Sequence, residues 1–271
     1  MQSLEKLGSW PVSHVSAAVV SPQGTLASTG PTDRLFALAS VTKLLVAYGA
    51  LIAVEEGAIG LDDEAGPEGS TVRHLLAHAS GLAFGEKRTQ AKLATKRIYS
   101  SSGFEVLAEL IESKTSIEFP EYLRLGVFEP LGMESTALDG PAGHGAVSTV
   151  DDLARFAEEL LEPRFLASET LSAATAVQFP DLDGIVPGYG MQRPNDWGLG
   201  FEIRGNKSPH WTGSENSAET FGHFGQSGTF LWVDPAVRVA TVVLTDRDFG
   251  DWAKPLWPEL SDDILSEISD L

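Results

Sequence analysis

The stretch FALASVTKLLVAYGALI, residues 36–52, holds a single charge, Lys43, and the eleven residues after that lysine are all uncharged. Apolar residues cover every side of this segment, which predicts a helix over residues 40–56 that is buried inside the protein. Ser40 stands one turn before Lys43, where the helix would begin, and Gly57 marks its end. A lysine at the positive end of a buried helix is electrostatically disfavoured, so its presence requires a chemical explanation.

Outside this helix the pattern changes from strands to helices and back. HVSAAVVSPQG and TLASTG predict a hairpin with its turn at residues 22–24, and LGFEIRG, TFLWVDP and RVATVVLTDR predict strands near the other end. The segments TVRHLLAHA, GFEVLAELIESKT, FPEYLRLGVFEPL and TVDDLARFAEELL repeat apolar residues at helical steps, and PELSDDILSEISDL predicts a closing helix. Neither end has enough strands for its own sheet, so both ends must share one sheet.

This order of segments predicts an α/β (α+β) fold with two lobes. Residues 1–65 together with residues 188–271 would form the α/β lobe, and residues 66–187 would form a helical lobe inserted between them. A cleft between two such lobes is a usual place for a small-molecule site.

Charge and cysteine content exclude several classes of function. The 271-residue chain carries 38 acidic and 19 basic residues, for a formal net charge of −19, which disfavours a nucleic-acid partner. No uncharged apolar run reaches the roughly 18 residues of a membrane span, and the first residues lack the pattern of a secretory signal. Zero cysteine removes disulfides and thiolate nucleophiles and, with the missing signal, leads us to expect a cytoplasmic protein.

Ser40 and Lys43 form an S-x-x-K pattern, which is weak by itself because residues 3–6 have the same spacing. Burial and the helix dipole both favour the neutral amine of Lys43 and lower its pKa. A neutral amine beside a hydroxyl can take its proton, which would make Ser40 a nucleophile. The alternative interpretation is structural, with Ser40 capping the helix and Lys43 reaching the surface.

Two further polar residues stand at predicted junctions. Tyr99 comes just before a helix, where its phenol could relay protons near a neutral lysine. His223 enters a strand in FGHFGQSGTFLWVDP, where it could bind an anionic group or assist proton transfer. His74 and His78 are four apart like zinc ligands, but Leu75 stands where the H-E-x-x-H motif needs glutamate, so both are interpreted as packing or hydrogen-bonding residues.

With these motifs the chain resembles the serine β-lactamase and penicillin-binding-protein family, in particular its class C and family VIII esterase branch. That family combines S-x-x-K, Y-x-N and K/H-x-G motifs, which are here S-V-T-K at 40–43, Y-S-S at 99–101 and H-F-G at 223–225. The segments VEEGAIGLDD, TVRHLLAHASGL, FEPLGMESTAL, AVSTVDDLARF and WGLGF follow in the family's order, so the resemblance covers about residues 15–247.

The resemblance implies an antiparallel sheet flanked by helices plus an inserted all-helical lobe. It implies Ser40 as the acylated nucleophile, Lys43 as its base or proton shuttle, and Tyr99 as a second proton-transfer group. The implied substrate-binding residues are Ser101, His223, Gly225 and Gln226. The backbone N–H groups of Ser40 and Gln226 would form the oxyanion hole. The resemblance implies a small-molecule substrate, and no metal or organic cofactor is expected.

Two departures from the family's motifs bear on the substrate. Ser101 replaces asparagine and loses an amide that binds substrate amides from two sides, while His223 replaces lysine with a weaker, pH-dependent charge for a substrate carboxylate. The first hypothesis is a serine hydrolase that forms an acyl-enzyme at Ser40 with small esters, β-lactams or D-amino-acid amides, an esterase or amidase being favoured over a dedicated β-lactamase. The alternative is a binding or sensor module that is acylated, or binds ligand, without turnover.

A basic run precedes the Y-S-S motif and consists of Lys87, Arg88, Lys92, Lys96 and Arg97. Most runs of this kind form a solvated face. If this one lies near the mouth of the cleft, it would favour anionic substrates, and charge reversal at Lys92 and Lys96 would test that hypothesis.

Overall fold

The structure is a computed structural model that describes residues 1–269. Its main sheet contains β1 (Val15–Ser21), β2 (Gly24–Thr29), β8 (Glu202–Ile203), β9 (Phe221–Gly225), β10 (Thr229–Asp234) and β11 (Val239–Thr245). The strands are antiparallel and lie in the order β2-β1-β11-β10-β9-β8. Strands from both ends of the chain therefore share one sheet, as the sequence predicts.

The α-helices are α1 (Thr42–Glu55), α2 (Val72–Leu76), α3 (Ser101–Thr115), α4 (Phe119–Leu123), α5 (Val150–Leu161), α6 (Ser168–Ala174) and α7 (Ala253–Ser269). Short 3-10 helices span Ser3–Ser9 and Ala39–Val41, and a π-helix spans Arg124–Phe128. Each predicted helical segment contains one of these helices. The closing helix α7 begins at Ala253, before the predicted start at Pro258, while residues 270–271 of that prediction lie outside the described residues.

The main sheet is covered on both faces, and this explains why the central residues of strand β1, 17–20, are all apolar. Ala18 and Val20 pack into the core that contains α1 and α5, whereas Ala17 and Val19 face a second core that contains α7. Because successive side chains of a strand point to opposite faces, a strand between two cores must be apolar at nearly every position.

Two small sheets, which the sequence pattern does not predict, lie close to the predicted nucleophile. One has the order β3-β5-β4 and consists of β3 (Phe36–Ala37), β4 (Ala137–Leu138) and β5 (Ala146–Ser148). The other is a hairpin of β6 (Gly184–Val186) and β7 (Gly190–Gln192). Strands of two or three residues are too short to show a period of two. The first sheet places the residues before Ser40 beside the loop that precedes β5.

Helix α1 lies in the centre of the larger core, and nearly all of its residues are buried. Gly49 allows α4 to approach it closely, since a Cβ atom there would lie 2.4 Å from a methyl carbon of Leu123. Helix α5, within residues 66–187, packs against β1 and β11 of the main sheet. The division into lobes at 65/66 and 187/188 stays a prediction. No helix within residues 1–269 combines the length and apolar character that a bilayer crossing requires.

Candidate active site

The predicted nucleophile lies in a strained turn at the entrance of α1. Ser40 belongs to the 3-10 helix Ala39–Val41, and the α-helix itself begins at Thr42, two residues later than the predicted start. Ala39 has a φ of 45°, a left-handed conformation that is costly for a residue other than glycine and that clusters at functional sites. This turn leaves the Ser40 side chain partly exposed, on the wall of a cavity of about 810 Å³, named here the Ser40 cavity.

The amine of Lys43 lies inside the protein beside Ser40, and the side chain is completely buried. Its Nζ atom is 2.7 Å from the carbonyl oxygen of Gly143, 3.1 Å from Ser101 Oγ and 3.4 Å from Ser40 Oγ. The alternative of a lysine that reaches the surface is therefore wrong. None of the three partners carries a charge, so burial of the ammonium form is poorly compensated.

Burial lowers the pKa of Lys43 to about 7, even though the carboxylate of Glu105 acts in the opposite direction. A neutral amine has two N–H groups and one lone pair. The carbonyl of Gly143 can only accept a hydrogen bond, and Ser101 Oγ can accept the second. The lone pair of the neutral amine is then left for the hydroxyl of Ser40, which is the arrangement that a general base requires.

Glu105 and Gly143 support this lysine, although the sequence pattern singled out neither of them. The carboxylate of Glu105 accepts hydrogen bonds from the backbone N–H groups of Ala142 (3.1 Å) and Gly143 (2.8 Å), which fixes the carbonyl that binds Lys43. Gly143 also lies so close to α3 that a Cβ atom would come within 2.7 Å of Ser101 Cβ. Only the succession of glycines in DGPAGHG hinted at this loop, because a contact between residues 43 and 143 has no local signature.

Tyr99 lies on the wall of the Ser40 cavity, directly before α3, whose first turn is capped by Ser100 Oγ. The Lys43 Nζ atom is 4.6 Å from the centre of the Tyr99 ring. Burial raises the pKa of Tyr99 well above its usual range, and the nearby hydroxyl of Ser40 offsets this only in part. The buried hydroxyl makes no well-formed hydrogen bond within residues 1–269, although Ser40 is its near neighbour, so it can turn to a bound molecule.

Ser101 and Gly225 take positions behind the cavity wall. Ser101 is buried, and its hydroxyl contacts Lys43, the predicted base. Its predicted role in substrate binding stays a prediction. Gly225 lets β9 approach the nucleophile turn, because a Cβ atom there would lie 2.3 Å from the Leu38 carbonyl oxygen and 3.2 Å from Ala39 Cβ. A larger residue at 225 would therefore push the strand away from Ser40.

The turn between β9 and β10 is tied to the segment before Ser40. Ser227 Oγ donates a hydrogen bond to the carbonyl of Ala37 (2.6 Å), and Thr229 Oγ1 donates to that of Leu38 (2.9 Å). These bonds hold the turn beside the nucleophile segment, and Gln226 lines the same cavity as Ser40. Within residues 1–269, no acceptor takes up the backbone N–H of either Ser40 or Gln226. Two free N–H groups in this position are what an oxyanion hole needs.

The outer wall of the Ser40 cavity is apolar, and two of the five residues of the basic run, Lys96 and Arg97, line the cavity. Phe84, Ile185 and Met191 line it, and each exposes about half of its surface, at 59%, 57% and 49%. Lys87 and Arg88 pair with glutamates away from the cavity, and Lys92 does not line it. Lys96 does line it, at the exposed rim, and Arg97 is buried in its wall.

The interpretation of His74 and His78 as packing residues agrees with their surroundings. His74 contributes to the capping box at the start of α2 with Thr71. His78 packs against the rings of Tyr99 and Trp197, and its Nδ1 atom accepts the backbone N–H of Ser100.

The sheet, the helices and the Ser40–Lys43 pair define the β-lactamase/transpeptidase-like fold. A model of the beta-lactamase family matches residues 15–265, and the chain belongs to that family. A crystal structure of a β-lactamase from Mycobacterium bovis is 60% identical, covers 98% of this chain and 99% of that one, and superposes with a TM-score of 0.97. The resemblance predicted from the motifs is therefore confirmed.

More distant relatives share the fold or part of the chain. Simvastatin synthase from Aspergillus terreus is 16% identical with a TM-score of 0.81 over 98% of this chain and 93% of that one, which shows the fold alone. A penicillin-binding protein of Bacillus subtilis is 24% identical over 60% of this chain. The match covers 53% of that protein, so the chain spans about half the length of this curated relative.

Proposed function

We propose that the protein is a serine hydrolase whose Ser40 is acylated by small carbonyl substrates. The observation that carries this proposal is the contact set of Lys43. Two neutral acceptors occupy the N–H groups of a buried amine whose pKa is about 7, and its third neighbour is the hydroxyl of Ser40, 3.4 Å away. A lysine kept for stability alone would not need to be buried without an anionic partner.

In the acylation step, Ser40 Oγ attacks the carbonyl carbon of the substrate while its proton moves to the lone pair of Lys43. The negative charge that develops on the carbonyl oxygen is stabilised by the N–H groups of Ser40 and Gln226. The bond to the leaving group then breaks, and the leaving oxygen or nitrogen takes up the proton from Lys43, either directly or through the Tyr99 hydroxyl. The products are the acylated Ser40 and the free alcohol or amine.

In the deacylation step, water attacks the acyl carbon and gives one proton to the base formed by Lys43 and Tyr99. The Ser40–acyl bond breaks, and Ser40 Oγ recovers its proton as the carboxylic acid leaves. The two steps sum to hydrolysis of one ester or amide bond by one water molecule. Small esters are the favoured substrates, with β-lactams and D-amino-acid amides as further candidates.

The proposal is tested by exposing the protein to a fluorophosphonate, p-nitrophenyl acetate and a chromogenic cephalosporin, with turnover and intact mass followed together. We expect turnover of the acetate and one fluorophosphonate adduct per chain, both lost in Ser40→Ala. Ser113→Ala is the matched control, because Ser113 is exposed on α3 and should leave both results unchanged. A stable adduct without turnover would favour the sensor alternative, and no reaction with any probe would contradict both hypotheses.

A further inference from the structure

The hydrogen bonding of His223 decides which of its ring nitrogens carries a proton. Nδ1 lies 2.6 Å from the carbonyl oxygen of Phe224. Because a carbonyl oxygen can only accept, Nδ1 must carry the hydrogen. In the neutral ring, Nε2 is then a bare acceptor, and it is buried without a partner within residues 1–269. A buried acceptor without a donor costs free energy until a bound molecule supplies one.

The surroundings of His223 keep its ring uncharged. Burial lowers the pKa of His223 to about 3, and the nearby amine of Lys43 acts in the same direction. Glu202 acts in the opposite direction, but it is already engaged by Lys207 and His210. The pH-dependent positive charge that the sequence suggested for a substrate carboxylate is therefore absent from His223 in the physiological range.

Other cations beside the Ser40 cavity are engaged elsewhere. The Arg97 guanidinium donates to four backbone carbonyls, those of Ala77, Gln178, Phe179 and Asn195. Arg193 pairs with Asp183 at 3.2 Å. Lys96 stands at the exposed rim rather than on β9. The remaining neighbour is the Lys43 amine, which the proposed chemistry needs in its neutral form. A carboxylate placed against β9 would thus lose water without gaining a permanent cation, and the buried carboxylate of Glu202 also lines the cavity.

We propose, on the basis of the proposed function, that the Ser40 cavity selects substrates whose group beside His223 is uncharged and donates a hydrogen bond, such as a primary amide or a hydroxyl, and rejects a carboxylate there. The donor would bind the free Nε2 atom. Penicillins, cephalosporins and D-alanyl peptides with a free carboxylate are then poor substrates, while neutral esters with a bulky apolar body can contact the outer wall.

A matched series of esters tests this selection. Phenyl butyrates carry a carboxamide, an acetyl group or a carboxylate at the meta position of the leaving phenol, and these groups are similar in size but differ in charge and donors. The same groups are then placed on the acyl side, in p-nitrophenyl benzoates. In at least one series we expect kcat/KM of the carboxamide to exceed that of the carboxylate by roughly tenfold or more, with acetyl between them. A carboxylate that equals or exceeds the carboxamide in both series would overturn the proposal.

Variants at residue 223 assign the preference to its side chain. His223→Lys adds a cation and should reverse the order of carboxamide and carboxylate, whereas His223→Gln keeps a neutral acceptor and should preserve it. If the lysine variant does not fold, His223→Leu should lose the preference for carboxamide over acetyl that the glutamine variant keeps. An unchanged order in a folded lysine or leucine variant contradicts the proposal. If wild type hydrolyses no ester and Ser40 resists the fluorophosphonate, the proposed function itself fails.

Discussion

Among residues 1–269, the side chains of two lysines, Lys43 and Lys207, are completely buried, and they have opposite surroundings. Lys207 Nζ lies 3.1 Å from the carboxylate of Glu202 and also donates to the carbonyls of Asp196 and Ile203. The partners of Lys43 within the described residues are all neutral, a carbonyl and two hydroxyls. Both lie near the Ser40 cavity, so the difference between them is one of partners and not of burial.

The same side chain thus serves structure in one place and chemistry in another. Burial alone would raise the pKa of Glu202, yet Lys207 and His210 hold it well below its usual range. Burial lowers the pKa of Lys207 as well, but the charge of Glu202 acts against this shift, so each member of the pair favours the ionised form of the other. Lys43 has no such partner, and its pKa falls to about 7, where it can take up and release a proton at working pH. A paired cation stabilises a buried anion, whereas an unpaired amine is available as a base.

Removal of the unpaired amine should have the largest effect on activity. In Lys43→Met we expect kcat/KM for p-nitrophenyl acetate and the rate of fluorophosphonate labelling to fall by about 10³-fold, because Ser40 loses its base. The free energy of unfolding at pH 7 should change little. The variant loses the hydrogen bonds of the lysine, but it also removes a poorly compensated buried charge, and the two effects oppose each other. A folded variant with near wild-type labelling would contradict the role of Lys43.

Removal of the paired lysine should mainly affect stability. Lys207→Met leaves the carboxylate of Glu202 buried without its cation, so we expect urea denaturation to show a loss of about 3–5 kcal/mol in unfolding free energy. The double variant Glu202→Gln/Lys207→Met should recover part of that loss. Labelling of Ser40 per folded molecule should change far less than in Lys43→Met, and a comparable loss would show that the two lysines do not divide their roles.

The activity should depend on pH through Lys43. Because the neutral amine is the active form and its pKa is about 7, kcat/KM for a neutral ester should fall about tenfold per pH unit below 7 and level off above it. The pKa of this lysine is lowered from 10.5 on folding, so the unfolded chain binds more protons between pH 7 and 10.5. The unfolding free energy of wild type relative to Lys43→Met should therefore rise over that window, by on the order of 4 kcal/mol.

Glu105 should act on Lys43 indirectly, as a positioning residue that holds the loop at Gly143. In Glu105→Gln the loop at Ala142 and Gly143 loses one charge-assisted acceptor, so we expect kcat to fall by roughly tenfold. Since the charge of Glu105 raises the pKa of Lys43, the kinetic pKa should also move below that of wild type. Glu109→Gln, one turn further along α3 and exposed, is the matched control. A lower kcat with an unchanged kinetic pKa would contradict this electrostatic coupling.

The smallest effect is expected at the rim of the cavity. Lys96→Glu should raise KM for esters with a remote negative charge by roughly 2–5-fold, because Lys96 is exposed and screened by salt. Lys92→Glu should have a smaller effect, since Lys92 does not line the cavity. The measurement is KM for an anionic and a neutral ester at low and high ionic strength, and equal shifts for both esters would contradict a charge effect.

The sequence predicted most of the residues of the candidate site but few of the contacts between them. Ser40, Lys43, Tyr99 and His223 carry motifs whose spacing is local, and the structure brings all four to one region. Glu105 has no such motif, because its partners are backbone groups nearly forty residues away. The neutral state of His223 could not be predicted from the sequence either. It depends on the burial of the ring and on an orientation that lets Nδ1 bond to the carbonyl of Phe224.

The shared sheet, the buried α1 helix and the S-x-x-K pair follow from the amino-acid order alone, because hydrophobic periodicity and a lysine among apolar residues are properties of neighbours along the chain. The surroundings of that lysine, in contrast, exist only in the folded protein. The carbonyl of Gly143 reaches it from a loop held by Glu105, and burial, with no anion among its direct contacts within residues 1–269, lowers its pKa. A pKa depends on every charge and dipole packed against the group, and those come together only when the chain has folded.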